Sequence, residues 1–392
     1  MLTFAHAPLS VPSCAAKTGA DRRPFKTIVL LTSLALAISA CTTTQPTPDA
    51  GDSRPAPTRP APKAATTPLE PGAPSTHTET DRRYVESGDS AQRRQLVTSM
   101  FDRAATLGKE GNLSAAIPIY REIEQIYGDG VGSDKSWGAW AIFYQGDLQR
   151  QMRNPKAAVA AYERLDQRFA QESDPAIRAI VADALIKKGE ALTEQGDTRG
   201  AIAAYEEIGR RYAEDRDAGF RLRAARALFA KGTLLGRQGM GEEPGSEFPS
   251  MGIRPAGDTV AAIATYDDII QRFGRDKDPN IRNVVGATLL KKSEALRLTG
   301  NDQGTITVYD EIAQRFGNDN APVSRVLVAT ALFRKGLTLG KLEGASPTAI
   351  AAFDEVTRRF ASDTHPNVRK IVGQAVTARQ KLIADEEPMH DN

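Results

Sequence analysis

An aromatic pair, seven residues apart, returns six times along this chain: Tyr120/Tyr127, Tyr162/Phe169, Tyr205/Tyr212, Tyr266/Phe273, Tyr309/Phe316 and Phe353/Phe360. The first members are spaced by 42, 43, 61, 43 and 44 residues. A period of that length describes stacked supersecondary units, each burying its apolar face on the next. It excludes a single globule with one centre, and it points to an extended binding surface before any catalytic pocket. A step of seven is two helical turns, so both aromatics of a pair lie on one helix face and are expected in the core.

Two units show the pattern in full, Val181–Ala213 and Val285–Gly317. Apolar residues recur at helical spacing in each half, and a Gly-Asp or Gly-Asn turn separates the halves. Each repeat therefore reads as two antiparallel helices, A and B. Helix A carries a small residue where its partner must come close: Ala104, Gly146, Gly189, Gly232, Ser293 and Gly336. Asp174-Pro175 and Asp278-Pro279 read as N-cap and first-turn signals that lengthen the start of helix A. Residues 372–384 repeat the helix A pattern with no helix B after it, which suits a capping helix.

Charges repeat with the same period. Glu207/Arg211, Asp268/Arg272, Glu311/Arg315 and Glu355/Arg359 are i, i+4 pairs with the acid first, the stabilising order. Arg178, Arg221, Arg282, Arg325 and Arg369 form one ladder, and Lys188, Lys231, Lys292 and Lys335 another. Two readings stand: salt bridges between repeats, or a strip for an acidic partner. The net charge is +2 and the acids alternate with the bases, so no field favours nucleic acid.

The pattern resembles the tetratricopeptide repeat over about residues 90–386. The resemblance rests on the small residue in helix A, an alanine twelve positions on and an aromatic four beyond that. It implies an all-α fold, an α-solenoid of about six helix-turn-helix repeats with a 42–44 residue period and a C-terminal capping helix. The units exceed the standard 34 residues by about nine. In such solenoids helix A lines a groove, and the residue three before the small one faces it. Here that column is Phe101, Phe143, Ile186, Phe229, Leu290 and Phe333, with Trp140 one turn before Phe143. It reads either as a groove for a protein or peptide partner or as core between repeats. The fourth repeat carries an insert, 239–257, which reads either as disordered or, through Phe248, Met251 and Ile253, as a lid over the groove.

The two cysteines, Cys14 and Cys41, precede the repeats. Arg22, Arg23 and Lys26 lead into the apolar run Ile28–Ile38, too short to span a bilayer comfortably and suited to a secretory signal. Ile38-Ser39-Ala40-Cys41 resembles the lipobox of bacterial lipoproteins. It implies a signal peptide over 1–40, cleavage before Cys41 and lipidation of Cys41, hence membrane attachment without a transmembrane helix. Thr42, by the sorting rule of such lipoproteins, favours the outer membrane and a periplasm-facing domain. Arg22-Arg23-Pro24-Phe25-Lys26 partly resembles a twin-arginine export motif. Residues 41–80 hold nine prolines, no aromatic and one leucine, and read as a disordered tether; 387–392 reads as a disordered tail.

Catalytic chemistry is not expected. The four histidines, His6, His77, His365 and His390, are scattered, and no metal spacing, phosphate loop or cofactor fingerprint is present. The functional expectation is a scaffold in a cell-envelope assembly. The alternative is a module that captures peptide or glycan fragments for a separate enzyme or transporter, with the Trp137–Trp140 region as the one hint of a glycan platform.

Overall fold

A computed structural model of the chain describes residues 90–129, 133–238 and 257–386. The signal region, Cys41, the tether and the tail lie outside the described residues, as does the insert up to residue 256. Thirteen α-helices and no strand occur among the described residues. Chain contacts divide into a unit ending at Ile119 and a unit beginning at Tyr120.

The first unit holds α1 (Ser90–Lys109) and the start of α2 (Leu113–Tyr127). Gly111, at φ +80°, makes the turn between them. Val97, Met100, Ala104, Ala116 and Ile117 are its buried residues together with Ile119.

The second unit continues with α3 (Ser133–Gln151), α4 (Pro155–Phe169), α5 (Pro175–Glu194), α6 (Thr198–Tyr212), α7 (Ala218–Gln238) and α8 (Gly257–Phe273). It closes with α9 (Pro279–Leu298), α10 (Asp302–Phe316), α11 (Pro322–Leu339), α12 (Ser346–Phe360) and α13 (Pro366–Glu386). Each helix packs on the next, and each A helix also packs on the A helix of the following repeat, from α3 through α13. This is the α-solenoid of paired helices that the period predicts, with α13 as its unpaired last member.

The physical causes are repeated too. All twelve aromatics of the six pairs are buried. Truncating one to alanine costs about 3–5 kcal/mol by cavity formation. The glycine column is explained by those rings. A β-carbon on Gly146 would stand 2.5 Å from Cε1 of Tyr162, and the same holds for Gly232 with Tyr266 and Gly336 with Phe353. Asp174 caps α5 by accepting from Ala176 N at 2.7 Å, and Asp278 caps α9 by accepting from Asn280 N at 2.8 Å. Pro175 and Pro279 occupy the first turn, where a missing N–H costs nothing. The A helices from α5 onward run 18–21 residues against 15–17 for the B helices, so the extra length of each repeat is an extended helix A.

The lysine ladder and, except for the exposed Arg369, the arginine ladder are salt bridges. Lys188 meets Glu163 at 2.8 Å, Lys231 meets Glu206 at 2.7 Å, Lys292 meets Asp267 at 2.6 Å and Lys335 meets Asp310 at 2.5 Å. Arg379 of α13 continues the row to Asp354 at 2.6 Å. Every rung joins a helix A to the helix B of the preceding repeat across 25 residues. In the arginine row Arg178 reaches Asp215, Arg221 reaches Asp276, Arg282 reaches Asp319 and Arg325 reaches Asp363. All four i, i+4 pairs form as well. Such half-exposed pairs each contribute about 0–1 kcal/mol, so their weight lies in fixing register.

Candidate functional site

The A helices stand side by side, so a column at one position of each forms a continuous stripe. Ile186, Phe229 and Phe333 in this stripe are half-buried. Phe143 and Leu290 are core residues, only 7% and 8% exposed. Phe101, in the first unit, is also half-buried. The column is uniformly apolar in sequence, but Phe143 and Leu290 are buried while the other four are half-buried. It supplies apolar side chains that are held in place yet still reach solvent, as a docking face requires.

Phe143 is buried because α3 is unusually aromatic. Its ring lies 5.4 Å from Trp140, 5.9 Å from Tyr144 and 6.0 Å from Tyr162. Tyr144 in turn stacks on Trp140 at 5.6 Å and on Tyr120 at 5.4 Å. Trp137 points away from this cluster into the core, edge-on to Tyr127 at 5.0 Å. Beneath the stack sits Asp147, which accepts a hydrogen bond of 2.7 Å from the Tyr162 hydroxyl. Burial pushes the Asp147 carboxyl above the usual carboxylate range, against the Tyr162 bond and the positive charges of Lys187 and Arg150. Burial likewise pushes the phenols of Tyr120, Tyr144 and Tyr162 up.

Tyr144 and Asp147 are not prominent in the sequence. Trp140 to Tyr144 is an i, i+4 step, which places them on one face, and that spacing is the signal that finds the stack. Glu124 is a third unforeseen residue. It is buried, accepts from Gln145 Nε2 at 2.7 Å and from Arg164 Nε at 3.0 Å, and is satisfied by them. Gln145 stands in the ladder position that is lysine in the next four repeats.

Polar groups beside the stripe neutralise one another over α3, α5 and α7. Arg150 bonds Glu190 at 2.7 Å and Glu194 at 2.5 Å, Lys187 bonds Glu190 at 3.1 Å, and Arg223 holds Asp183 through two bonds of 2.7 and 2.9 Å. At the other end, Phe333 forms part of a cleft between α11 and α13 of ≈ 490 Å³. Among the described residues no group of three His, Cys, Asp or Glu side chains could hold a metal ion, and no helix is long and apolar enough to cross a membrane. The lipidation residue Cys41 and the lid residues Phe248, Met251 and Ile253 lie outside the described residues.

The family model of the tetratricopeptide repeat matches residues 140–171 and 183–215, which are α3–α4 and α5–α6 with their turns. Among solved structures, the chain is similar to a tetratricopeptide repeat protein from Parabacteroides merdae. The identity is 13%, over 76% of this chain and 94% of that one, at a TM-score of 0.38. It is also similar to a thermophilic TPR protein of Thermus thermophilus, at 15% identity over 61% of this chain and 99% of that one, with a TM-score of 0.30. No curated protein sequence matches. At these values the structural likenesses carry nothing about partner or substrate.

Proposed function

We propose that this tetratricopeptide-repeat protein is a scaffold that holds a protein partner in the cell envelope, tethered to the membrane through a lipid on Cys41 and facing the periplasm. The carrying observation is the half-buried apolar stripe Ile186, Phe229 and Phe333 on the A helices. An amphipathic helix or an extended peptide laid across those helices meets anchors at Ile186 and Phe229 and, beyond the buried Leu290, at Phe333. The lipobox at Ile38–Cys41, the proline-rich stretch that follows and the outer-membrane sorting at Thr42 support the location.

The test is in-cell crosslinking and pull-down of the full chain, with Ile186→Gln/Phe229→Gln as the control. Both positions are half-exposed, so glutamine leaves the fold standing. Phe143→Glu would instead unfold the aromatic cluster and report nothing about binding. A discrete envelope protein captured by the wild type and lost in the folded variant is the expected result. Equal capture by both would refute the stripe as the docking face.

A second reading, capture of glycan or peptide fragments for another enzyme or transporter, is favoured by one observation. Trp140, Tyr144 and Tyr120 form a stacked aromatic series next to the carboxylate of Asp147. Aromatic faces with adjacent polar groups are what a sugar ring needs. Saturable binding of a soluble glycan by the chain, abolished in Trp140→Ala, would select this reading.

A further inference from the structure

The cleft between α11 and α13 is flanked by two basic side chains. Phe333 and Gly373 line it, with Gln374 and Thr377, and Lys370 and Lys381 stand at its sides. Along the face Lys187 pairs with Glu190, Lys291 with Glu294, Arg150 with Glu190 and Glu194, and Arg223 with Asp183, whereas Arg226 and Arg334 have no carboxylate partner among the described residues. Even on α13, Arg379 is paired with Asp354. Lys370 and Lys381 have no carboxylate within ion-pair distance among the described residues, and both are exposed. The floor between them is aromatic and open, since a β-carbon on Gly373 would meet nothing within 4 Å.

We propose that this cleft binds an extended acidic peptide segment with an apolar side chain between two carboxylates. The inference rests on the scaffold reading above and names the chemistry of the partner at one end of its docking face. Lys370 and Lys381 are eleven residues, or three turns, apart on α13, about 16 Å along its axis. An extended chain covers that distance in about five residues. The two carboxylates are therefore set about five residues apart, and the apolar side chain between them falls over Phe333. Unpaired ammonium groups flanking an apolar floor give charge complementarity for such a segment, and two fixed charges set its register. A neutral amphipathic helix would leave both lysines unmatched.

The test uses the full chain and a fluorescein-labelled, end-capped peptide with two glutamates about five residues apart and a leucine midway, followed by fluorescence anisotropy. Binding with a Kd on the order of 10 μM is expected, weakened about tenfold or more when both glutamates become glutamine. Gly373→Leu fills the cleft and improves helix propensity, so it should weaken binding about tenfold with an unchanged or higher melting temperature. Lys370→Glu/Lys381→Glu should weaken it at least as much. No binding up to about 1 mM peptide, or binding indifferent to both cleft variants, overturns the proposal. Displacement of the probe by inorganic phosphate as readily as by unlabelled peptide also overturns it, in favour of a general anion site. Loss of the probe in Ile186→Gln/Phe229→Gln but not in the cleft variants would sink the cleft and leave the scaffold reading intact. Loss in the cleft variants alone, with no envelope protein captured in cells, would leave the cleft and remove the scaffold.

Discussion

The ring of Tyr205 rests directly on Gly189: a β-carbon on that glycine would stand 2.4 Å from Cε1 and 2.7 Å from Cζ. The tyrosine is held by the core of its own repeat and cannot retreat. Gly189→Leu is therefore expected to lower stability by about 1–3 kcal/mol through overpacking, read as a fall in the urea midpoint. Gly373→Ala, where the added carbon meets nothing, should move the midpoint the other way.

The turn between helices A and B gives a second contrast. Gly196 makes it at φ +79°, Gly300 at +73° and Gly344 at +70°, whereas the turn after α3 places Arg153 at φ 56°. A side chain in the left-handed region costs about 1 kcal/mol. Arg153→Gly should raise stability by about that amount, and Gly196→Ala should lower it by about the same although nothing crowds the site. Paired thermal melts check both signs.

Asp147 makes the fold pH-dependent in an unusual sense. Burial raises its carboxyl in the folded chain, so the folded state favours the protonated form. Its contribution is full below the ordinary carboxylate value of about 4 and is lost as pH rises through the raised one. Asp147→Asn carries no charge at any pH and can still accept from the Tyr162 hydroxyl. The variant should melt higher than the wild type at pH 7, with the gain vanishing below about pH 4.

Asp276 has the opposite sign. The Arg221 guanidinium donates to it at 2.7 Å and, against partial desolvation, holds its carboxyl below the usual range. The contribution is present above about pH 4 and is lost as pH falls through the lowered value. Asp276→Asn should destabilise the fold at pH 7, by no more than about 1 kcal/mol because the pair is partly exposed. Wild type and variant should converge in an acid titration.

Membrane attachment through Cys41 is expected to depend on that one thiol. Cys41→Ser should move the protein from the membrane pellet to the soluble fraction while leaving its far-ultraviolet circular dichroism unchanged. A variant that still pellets would refute the lipid anchor.

What the sequence made legible is what repeats. The six aromatic pairs, the glycine column, the aspartate caps of α5 and α9 and the last unpaired helix all follow from period alone, because each has one physical cause acting at every copy. The lysine ladder was visible as a ladder, but its partners were not. Lys292 and Asp267 sit in different repeats, 25 residues apart, and only the packing of helix A on the preceding helix B brings them together. Tyr144 and Asp147 escaped because they break the period: the same positions hold Lys187 and Glu190 in the next repeat. Phe143 and Phe229 are equivalent in sequence and differ in exposure, since Trp140, Tyr144 and Tyr162 enclose only the former. On α13 Gln380 stands where four of the A helices before it have glycine. Gln380 is exposed, and Val376 is left 37% exposed where Leu332 and its counterparts are buried.

The bond from Arg221 to Asp276 spans 55 residues, whereas the bond from Arg178 to Asp215 spans 37, yet both close the same kind of rung. The added chain falls, in sequence, between α7 and α8, and both rows of ion pairs continue on either side of it. The junction thus behaves as a splice point: sequence can be gained or removed there without re-indexing any contact on either side. A fluorescent domain, an affinity tag or an excision placed in it would leave the architecture intact, and the repeats themselves could be lengthened by lineage at the same joint.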